Sequence, residues 1–347
     1  MLCSTVHVNA SSPYDVLIAG GLLGKIGSLI KSALDPLPRQ VGIVCDENVG
    51  ALFFDKVSSA LNSNGIKAFR IDVPCGEYAK RLSVIERIYD ALASHSVSRS
   101  DALIALGGGA AGDAAGFAAA TYLRGIRLVQ APTTLLAQID SSIGGKTAVD
   151  CDFGKNLVGA FHQPSLVVSD TDALSSLDAR NIRSGLGEAV KYGCIAGPTL
   201  FDSLSDVKDI NKLVSECAAI KARYVEADER DTGVRRELNF GHTIGHAVEA
   251  ASGFELLHGE AVAIGMTAAA RLGEKLGITE RGTSEKIERL LISMDLDPSL
   301  KYYSEAKSYI AHDKKYSNGY IDMVFLERIG SAVIKRVSVE TIITEVL

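Results

Sequence analysis

The stretch from Ala102 to Asp113 constrains the fold more than any other. Five apolar residues, Ala102-Leu103-Ile104-Ala105-Leu106, run straight into Gly107-Gly108-Gly109-Ala110-Ala111-Gly112-Asp113. A short apolar run that ends in glycines reads as a buried strand turning into a helix. The spacing Gly107-x-Gly109-x-x-Gly112 fits a dinucleotide fingerprint, in which glycines let the backbone approach a pyrophosphate and the next helix offers its N-terminus to the charge. The same glycines would also serve a tight strand-to-helix turn with close packing. An ordinary fingerprint lies on the first strand, with an acid about 20 residues later. Here the loop comes late, and the best-placed acid is upstream: Asp46, at the end of the β-branched run 41–45. That combination points to a nucleotide-binding sheet of a different topology.

The rest of the first half repeats the pattern. Val16-Leu17-Ile18 and the runs 67–73, 126–130 and 166–169 each stop at a turn residue, and helical patterns such as 83–93 lie between them. Strands spaced this way argue for a parallel α/β sheet with crossover helices. After about Leu177 apolar residues recur at helical spacing, as in Leu213, Cys217, Ile220 and Tyr224, and strand-like runs return only at 323–326 and 332–334. The expected architecture is an α/β nucleotide-binding domain over residues 1–177 and a mostly α-helical domain over 178–347 with one short strand pair. A length of 347 residues suits two domains at roughly 150 residues each.

Composition excludes several classes. With 47% hydrophobic and 22% charged residues the chain can bury a sizeable core. A net charge of -6 and no basic run argue against nucleic-acid binding. The longest apolar-looking stretch, 102–120, carries Asp113 and five glycines, so no membrane span is expected. The six cysteines are scattered, none closer than 23 residues to the next, and residues 1–16 lack an export signal. The expectation is a reduced, cytoplasmic protein.

The strongest local signal for chemistry is Asn239-Phe240-Gly241-His242-Thr243-Ile244-Gly245-His246-Ala247-Val248-Glu249. His242 and His246 are four apart and share a helix face. His258 follows at the start of another helical pattern, so three of the seven histidines fall within 17 residues. Imidazoles so spaced suit a divalent metal, most often zinc, and a catalytic site takes three protein ligands with one position open. A carboxylate would complete the set, and Glu188 is a candidate, with Lys191 three residues on along its helix face. One of the histidines could instead be a general base, since imidazole titrates near neutrality.

Cations gather around these segments in an otherwise acidic chain. Asp140-Ser141-Ser142-Ile143-Gly144-Gly145-Lys146-Thr147 resembles a phosphate loop loosely, without the Walker spacing. Lys155-Asn156, Arg124, Lys221, Arg235, Asn239 and Lys314-Lys315 add basic or amide groups. Each alone would be a solvated surface group; together they would fit a substrate with two anionic groups, such as carboxylate plus phosphate. Thr133-Thr134, after Pro132, offer hydroxyls at a strand end, where α/β sheets bind nucleotides, and would equally cap a helix starting at Leu135.

Taken jointly, these segments resemble the 3-dehydroquinate synthases, members of the sugar phosphate cyclases. The resemblance runs from about Asp46 to Gly330 and rests on 107–117, Tyr122-Leu123-Arg124-Gly125, 130–138, 140–146, Gly154-Lys155-Asn156, 188–191, 238–249, His258-Gly259-Glu260 and Asp313-Lys314-Lys315. It implies a dehydroquinate synthase-like fold with its site in the cleft between two domains, and a homodimer. It also implies NAD+ as a recycled cofactor and Zn2+ (or Co2+) as the metal. The implied reaction turns 3-deoxy-D-arabino-heptulosonate 7-phosphate into 3-dehydroquinate and phosphate, the second step of the shikimate pathway. A transient oxidation would acidify the C–H beside the new ketone, phosphate would leave by β-elimination, and reduction, ring opening and aldol closure would follow.

Carried over by position, the resemblance makes Glu188, His242 and His258 the metal ligands and His246 the catalytic histidine, in place of an i, i+4 ligand pair. Lys146, Lys191, Arg235 and Asn239 match the catalytic and substrate-holding set, and Lys221, Lys314, Asn156 and Arg124 the substrate-binding one, with Arg124 reaching the partner subunit's site. Asp46, Glu77, Lys80, Gly108, Gly109, Asp113, Thr133, Thr134, Asp140, Lys146, Lys155 and Asn156 match the NAD+ contacts. Ser176-Leu177-Asp178-Ala179-Arg180-Asn181 stands where the family commonly has Thr-Leu-Pro-x-Arg-Glu, and Gly145-Lys146-Thr147-Ala148 where it has Gly-Lys-Thr-Gly. Two other outcomes fit the same scaffold: a different sugar phosphate cyclase, or a metal-dependent glycerol or alcohol dehydrogenase that consumes NAD+ stoichiometrically. A silent binding protein would not need the full set of ligands and lysines.

Overall fold

The computed structural model describes residues 3–299, 303–313 and 318–346. Its contacts fall into two units, Met1–Leu177 with Ile210–Arg230, and Asp178–Asp209 with Asp231–Leu347. The sequence suggests one cut after residue 177; the Ile210–Ala227 helix nevertheless packs with the first unit.

The first unit is built on β1 (Ser4–Val8), β2 (Tyr14–Ala19), β3 (Gln40–Cys45), β4 (Lys67–Asp72), β5 (Ala102–Gly107), β6 (Arg127–Pro132), β7 (Lys146–Cys151), β8 (Gly154–Phe161) and β9 (Leu166–Asp170). Seven of these form one sheet in the order β1-β2-β9-β6-β5-β3-β4. All neighbours are parallel except β1, which runs antiparallel to β2 along the edge. Every residue of β3 and β5 is buried, as expected of central parallel strands covered on both faces. The pleat sorts their side chains. Ala102, Ile104 and Leu106 enter one core with Val41, Ile43 and Leu61, while Leu103 and Ala105 enter the other with Ile85, Ile88 and Ala118.

The order explains why the glycine loop comes late. From β3 the chain moves outward to β4, then crosses back past β3 to β5, β6 and β9. The topological switch point therefore lies between β3 and β5, and ligands of doubly wound sheets bind beyond the carboxyl ends of the strands at such a point. Asp46 follows β3 and Gly108-Gly109 follow β5, so the acid and the glycines flank one crevice although 60 residues of chain lie between Asp46 and Gly107.

The hairpin β7–β8 was not legible in the sequence. The pattern of β8 is exposed almost throughout, so no apolar alternation marks it, and it is held by its ladder to β7.

The second unit contains helices Ala179–Ala196, Pro198–Ser203, His242–Ala251, His258–Lys275, Thr283–Ser293, Tyr303–Asp313 and Val339–Glu345. Its strand pair, β10 (Tyr320–Arg328) with β11 (Ser331–Ser338), is antiparallel with an irregularity at Leu326/Arg328. Missing side chains let two of its helix pairs approach closely. A Cβ on Gly187 would lie 2.5 Å from the carbonyl oxygen of Gly259, which joins the 179–196 and 258–275 helices. Gly241 has φ +82 at the start of the 242–251 helix, and a Cβ there would lie 2.6 Å from Met266 Cγ. Among the described residues no helix is long and apolar enough to cross a membrane.

Candidate active site in two parts

In the second unit, those close crossings bring three chain segments together. Glu188 and Lys191 stand one turn apart on the 179–196 helix, 0% and 1% exposed at their side chains, and form an ion pair. The helix begins at Asp178, whose carboxylate accepts from the Asn181 N–H at 2.8 Å, so the departure from the family pattern supplies an N-cap. Arg180, two residues on from Asp178, holds Glu260 through two nitrogens at 2.7 Å each.

Glu188 Oε1 lies 3.4 Å from His258 Nε2 and 3.6 Å from His242 Nε2. The far nitrogens of both rings are engaged. His258 Nδ1 is 3.3 Å from Glu249 Oε2, and His242 Nδ1 donates to the Phe240 carbonyl at 3.2 Å. Each Nδ1 partner turns the Nε2 of its ring toward Glu188, the arrangement that metal-binding histidines use to fix tautomer and aim. His246 joins the group, its ring centroid 5.2 Å from that of His242 and 5.6 Å from that of His258. One nitrogen from each of the three histidines falls within 4.8 Å of the others. The donor set fits a divalent cation: nitrogen and carboxylate ligands, with more than three candidates for three places.

The electrostatics favour positive charge at this spot. Burial opposes a charge on His258, but its hydrogen bonds to Glu188 and Glu249 outweigh that and raise its pKa to about 10. His242 moves the other way, pulled down to about 3 by burial, with Lys191 adding to the shift and Glu188 opposing it. His242 is thereby neutral at physiological pH, the state in which imidazole binds a metal. A pocket of about 470 Å³ opens on His242 and His246, and Asn239, Tyr309, Ile310 and Val324 also line it. Arg235, 1% exposed, sits in the short helix Val234–Asn239 just before them.

In the first unit, the Gly109–Thr121 helix starts at Gly108, which has no side chain to cap it, so its first N–H groups face the switch-point crevice with no side-chain cap. Beside it, Lys80 is 3% exposed and central to a charged cluster. It lies 2.8 Å from Asp113, 3.9 Å from both Glu77 and Asp150, and hydrogen-bonds to Asn156. Burial lowers the lysine's affinity for its proton, yet Asp113 and the other acids outweigh it and the pKa is raised. Asp113 is pushed up to about 6, with burial the largest cause and Lys80 opposing it. Lys155 reaches Glu77 at 3.9 Å. Asp46 caps the Glu47–Asn62 helix, its Oδ1 accepting from Val49 at 3.0 Å. Thr133 is buried, and Thr134 Oγ1 accepts from the Ala137 N–H at 3.2 Å. Asp140 and Lys221, expected to serve different ligands, form an ion pair with each other. Lys146 opens β7 and is exposed; Arg124 is exposed in a turn where it and Leu123 both have positive φ. Lys314 lies outside the described residues.

Two residues receive no role from the sequence reading, although Glu249 closes its histidine motif. Glu249, which orients His258, stands seven residues after His242 on the same helix face and could have been found by that spacing. Asp150, which faces Lys80 and accepts from the Asn156 N–H at 2.8 Å, sits in the unforeseen β7 and left no such signal.

Comparison with known proteins extends these observations. Residues 70–184 match the family model described as 3-dehydroquinate synthase N-terminal, and residues 185–316 the one described as 3-dehydroquinate synthase C-terminal. The chain is 45% identical over 334 residues to the 3-dehydroquinate synthase of Symbiobacterium thermophilum, covering 92% of this chain and 93% of that protein. Among solved structures, a 2-deoxy-scyllo-inosose synthase complexed with carbaglucose-6-phosphate, NAD+ and Co2+ has a TM-score of 0.88 at 26% identity, covering 99% of this chain and 100% of that one. The 2-epi-5-epi-valiolone synthase of Streptomyces hygroscopicus subsp. jinggangensis 5008, with NAD+ and Zn2+ bound, has a TM-score of 0.85 at 27% identity, covering 95% and 94%.

Proposed function

The chain belongs to the 3-dehydroquinate synthase family, and from that premise we propose that it converts 3-deoxy-D-arabino-heptulosonate 7-phosphate to 3-dehydroquinate and phosphate, as a lyase that uses NAD+ and a divalent metal. The observation that carries the reading is Glu188: a fully buried carboxylate beside two imidazoles whose far nitrogens are engaged, with Lys191 at its side. When bound, NAD+ supplies a reversible hydride acceptor and zinc or cobalt a Lewis acid.

The residues divide the remaining work. Glu188, His242 and His258 would hold the cation, leaving His246 to exchange a proton with the substrate. Lys191, Arg235 and Asn239 would orient the substrate's oxygens and anionic groups, with Lys146, Lys221 and Arg124 adding charge. Lys314 belongs to the same proposed set. Asp46, Glu77, Lys80, Gly108, Gly109, Asp113, Thr133, Thr134, Asp140, Lys155 and Asn156 would bind NAD+ at the switch-point crevice. The reading includes a homodimer in which Arg124 serves the partner's site, to be checked by molar mass in solution. So many cations suit a substrate bearing carboxylate and phosphate better than a simple alcohol.

The test is turnover with NAD+ well below substrate. Metal-loaded protein should release many phosphates per NAD+ and form 3-dehydroquinate. A different carbocycle would move the reading to another cyclase, and stoichiometric NADH without phosphate release would move it to a dehydrogenase.

A further inference from the structure

We propose that Tyr14 is a positioning residue for Lys146. The inference rests on the proposed reaction, in which Lys146 acts on the substrate. Lys146 is the first residue of β7 and follows two glycines in the left-handed region, Gly144 at φ +95 and Gly145 at φ +69. A turn of two glycines has no side chains with which to fix itself, and glycine is the residue with the most conformational freedom to lose. The direction in which Lys146 leaves it must therefore be set from outside.

Three residues of the first unit do so. The Gly144 N–H donates to the Tyr14 hydroxyl at 2.9 Å. The Gly145 carbonyl accepts from the His162 N–H at 2.7 Å. The Gln163 side chain lies against the turn, so that a Cβ on Gly145 would come within 2.8 Å of its Cδ. Gln163 is itself held by Glu229 at 2.9 Å, and Glu229 takes both the N–H and the O–H of Ser11. Of these groups the Tyr14 hydroxyl is the one a point substitution removes cleanly. Tyr14 opens β2 at 3% exposure, where a phenylalanine would fill the same volume. A buried phenol needs a polar partner, and here a main-chain N–H of the turn before Lys146 is one.

The experiment is a double-mutant cycle on the full-length, metal-loaded protein, read as kcat/KM for the heptulosonate phosphate by phosphate release. Tyr14→Phe should lower kcat/KM roughly threefold to tenfold, the size expected for one neutral hydrogen bond. In a Lys146→Ala background it should lower it no further, since the residue being positioned is gone. An equal loss in both backgrounds, or none in the wild type, overturns the inference and leaves the proposed reaction standing. If Lys146→Ala is itself without effect, the assigned role of Lys146 fails and the inference with it. Should Tyr14→Phe not fold, Gln163→Ala, which removes another of the turn's supports, enters the same cycle with the same expectations.

Discussion

The candidate residues of the two units are gathered on different principles. At the switch-point crevice of the first unit, placement comes from topology: Asp46 and Gly108-Gly109 are where they are because β3 and β5 are neighbours whose connections diverge. Side chains there are variations on strand ends and helix starts. In the second unit no sheet dictates the place. Glu188, His242 and His258 come from three helices, and their meeting depends on close crossings such as Gly187 against Gly259. A site set by topology tolerates loss of one side chain; a site set by side chains in a dry interior does not. That contrast orders the expected effects.

The largest belongs to Glu188→Ala. It removes a buried carboxylate, takes from Lys191 its ion-pair partner on the same helix and takes an acceptor from two imidazoles. Metal affinity, read by competition with a coloured chelator, should fall by more than the roughly ten- to hundredfold that losing an outer-shell partner costs. Turnover should vanish with it. The metal-free variant should lose about 3–5 kcal/mol in denaturant titration, as when one partner of a buried pair is deleted. Full metal affinity in this variant would mean that the three histidines alone hold the cation.

His246→Ala separates the two ligand sets that the geometry permits. If His246 exchanges a proton, kcat should fall about 10²- to 10⁴-fold while metal stays bound. Loss of the metal would make His246 a ligand and restore the i, i+4 pair as the centre.

How much of this was legible follows the same division. The glycine loop, the late position of the fingerprint and the upstream acid all showed in the sequence, because topology leaves marks at strand ends. The pairing of Asp46 with the loop needed only the strand order. The helical site was visible as a histidine spacing, but that spacing alone invites the pair His242 and His246, and Glu188 entered only as a candidate and by resemblance. The crossings that bring Glu188 to His258 rest on glycines whose role appears only when two helices touch. The hairpin β7–β8 is hidden for a third reason: its exposed strand carries no apolar alternation, so nothing in the sequence marks Asp150 as facing Lys80.

A smaller effect is expected from Asp113, and it concerns pH. The group titrates at about 6 in the folded protein against an ordinary 3.8, because burial outweighs the attraction of Lys80. Between those two values the folded chain holds a proton that the unfolded chain has released. Stability from this group is therefore greatest below about pH 4 and falls as pH rises toward 6. Glu77 and Asp150, which also face Lys80, repel the Asp113 carboxylate and add to the rise. Asp113→Asn should flatten the Tm-against-pH curve in that window and weaken NAD+ binding at pH 7. An unchanged curve would show that the Lys80 pair already offsets the burial.

The smallest effect decides what Asp46 is for. Its carboxylate caps the 47–62 helix, which alone would justify an aspartate at the end of β3. Asparagine caps a helix about as well as aspartate, whereas alanine costs about 1 kcal/mol. If the cap is the whole role, Asp46→Asn should leave both stability and the KM for NAD+ unchanged, and Asp46→Ala should lose stability alone. If the acid also holds the ribose at the switch point, Asp46→Asn should raise the KM for NAD+ with no loss in Tm. The second outcome is expected, because the helix cap and the crevice lie at the same strand end, and one carboxylate has two oxygens with which to serve both.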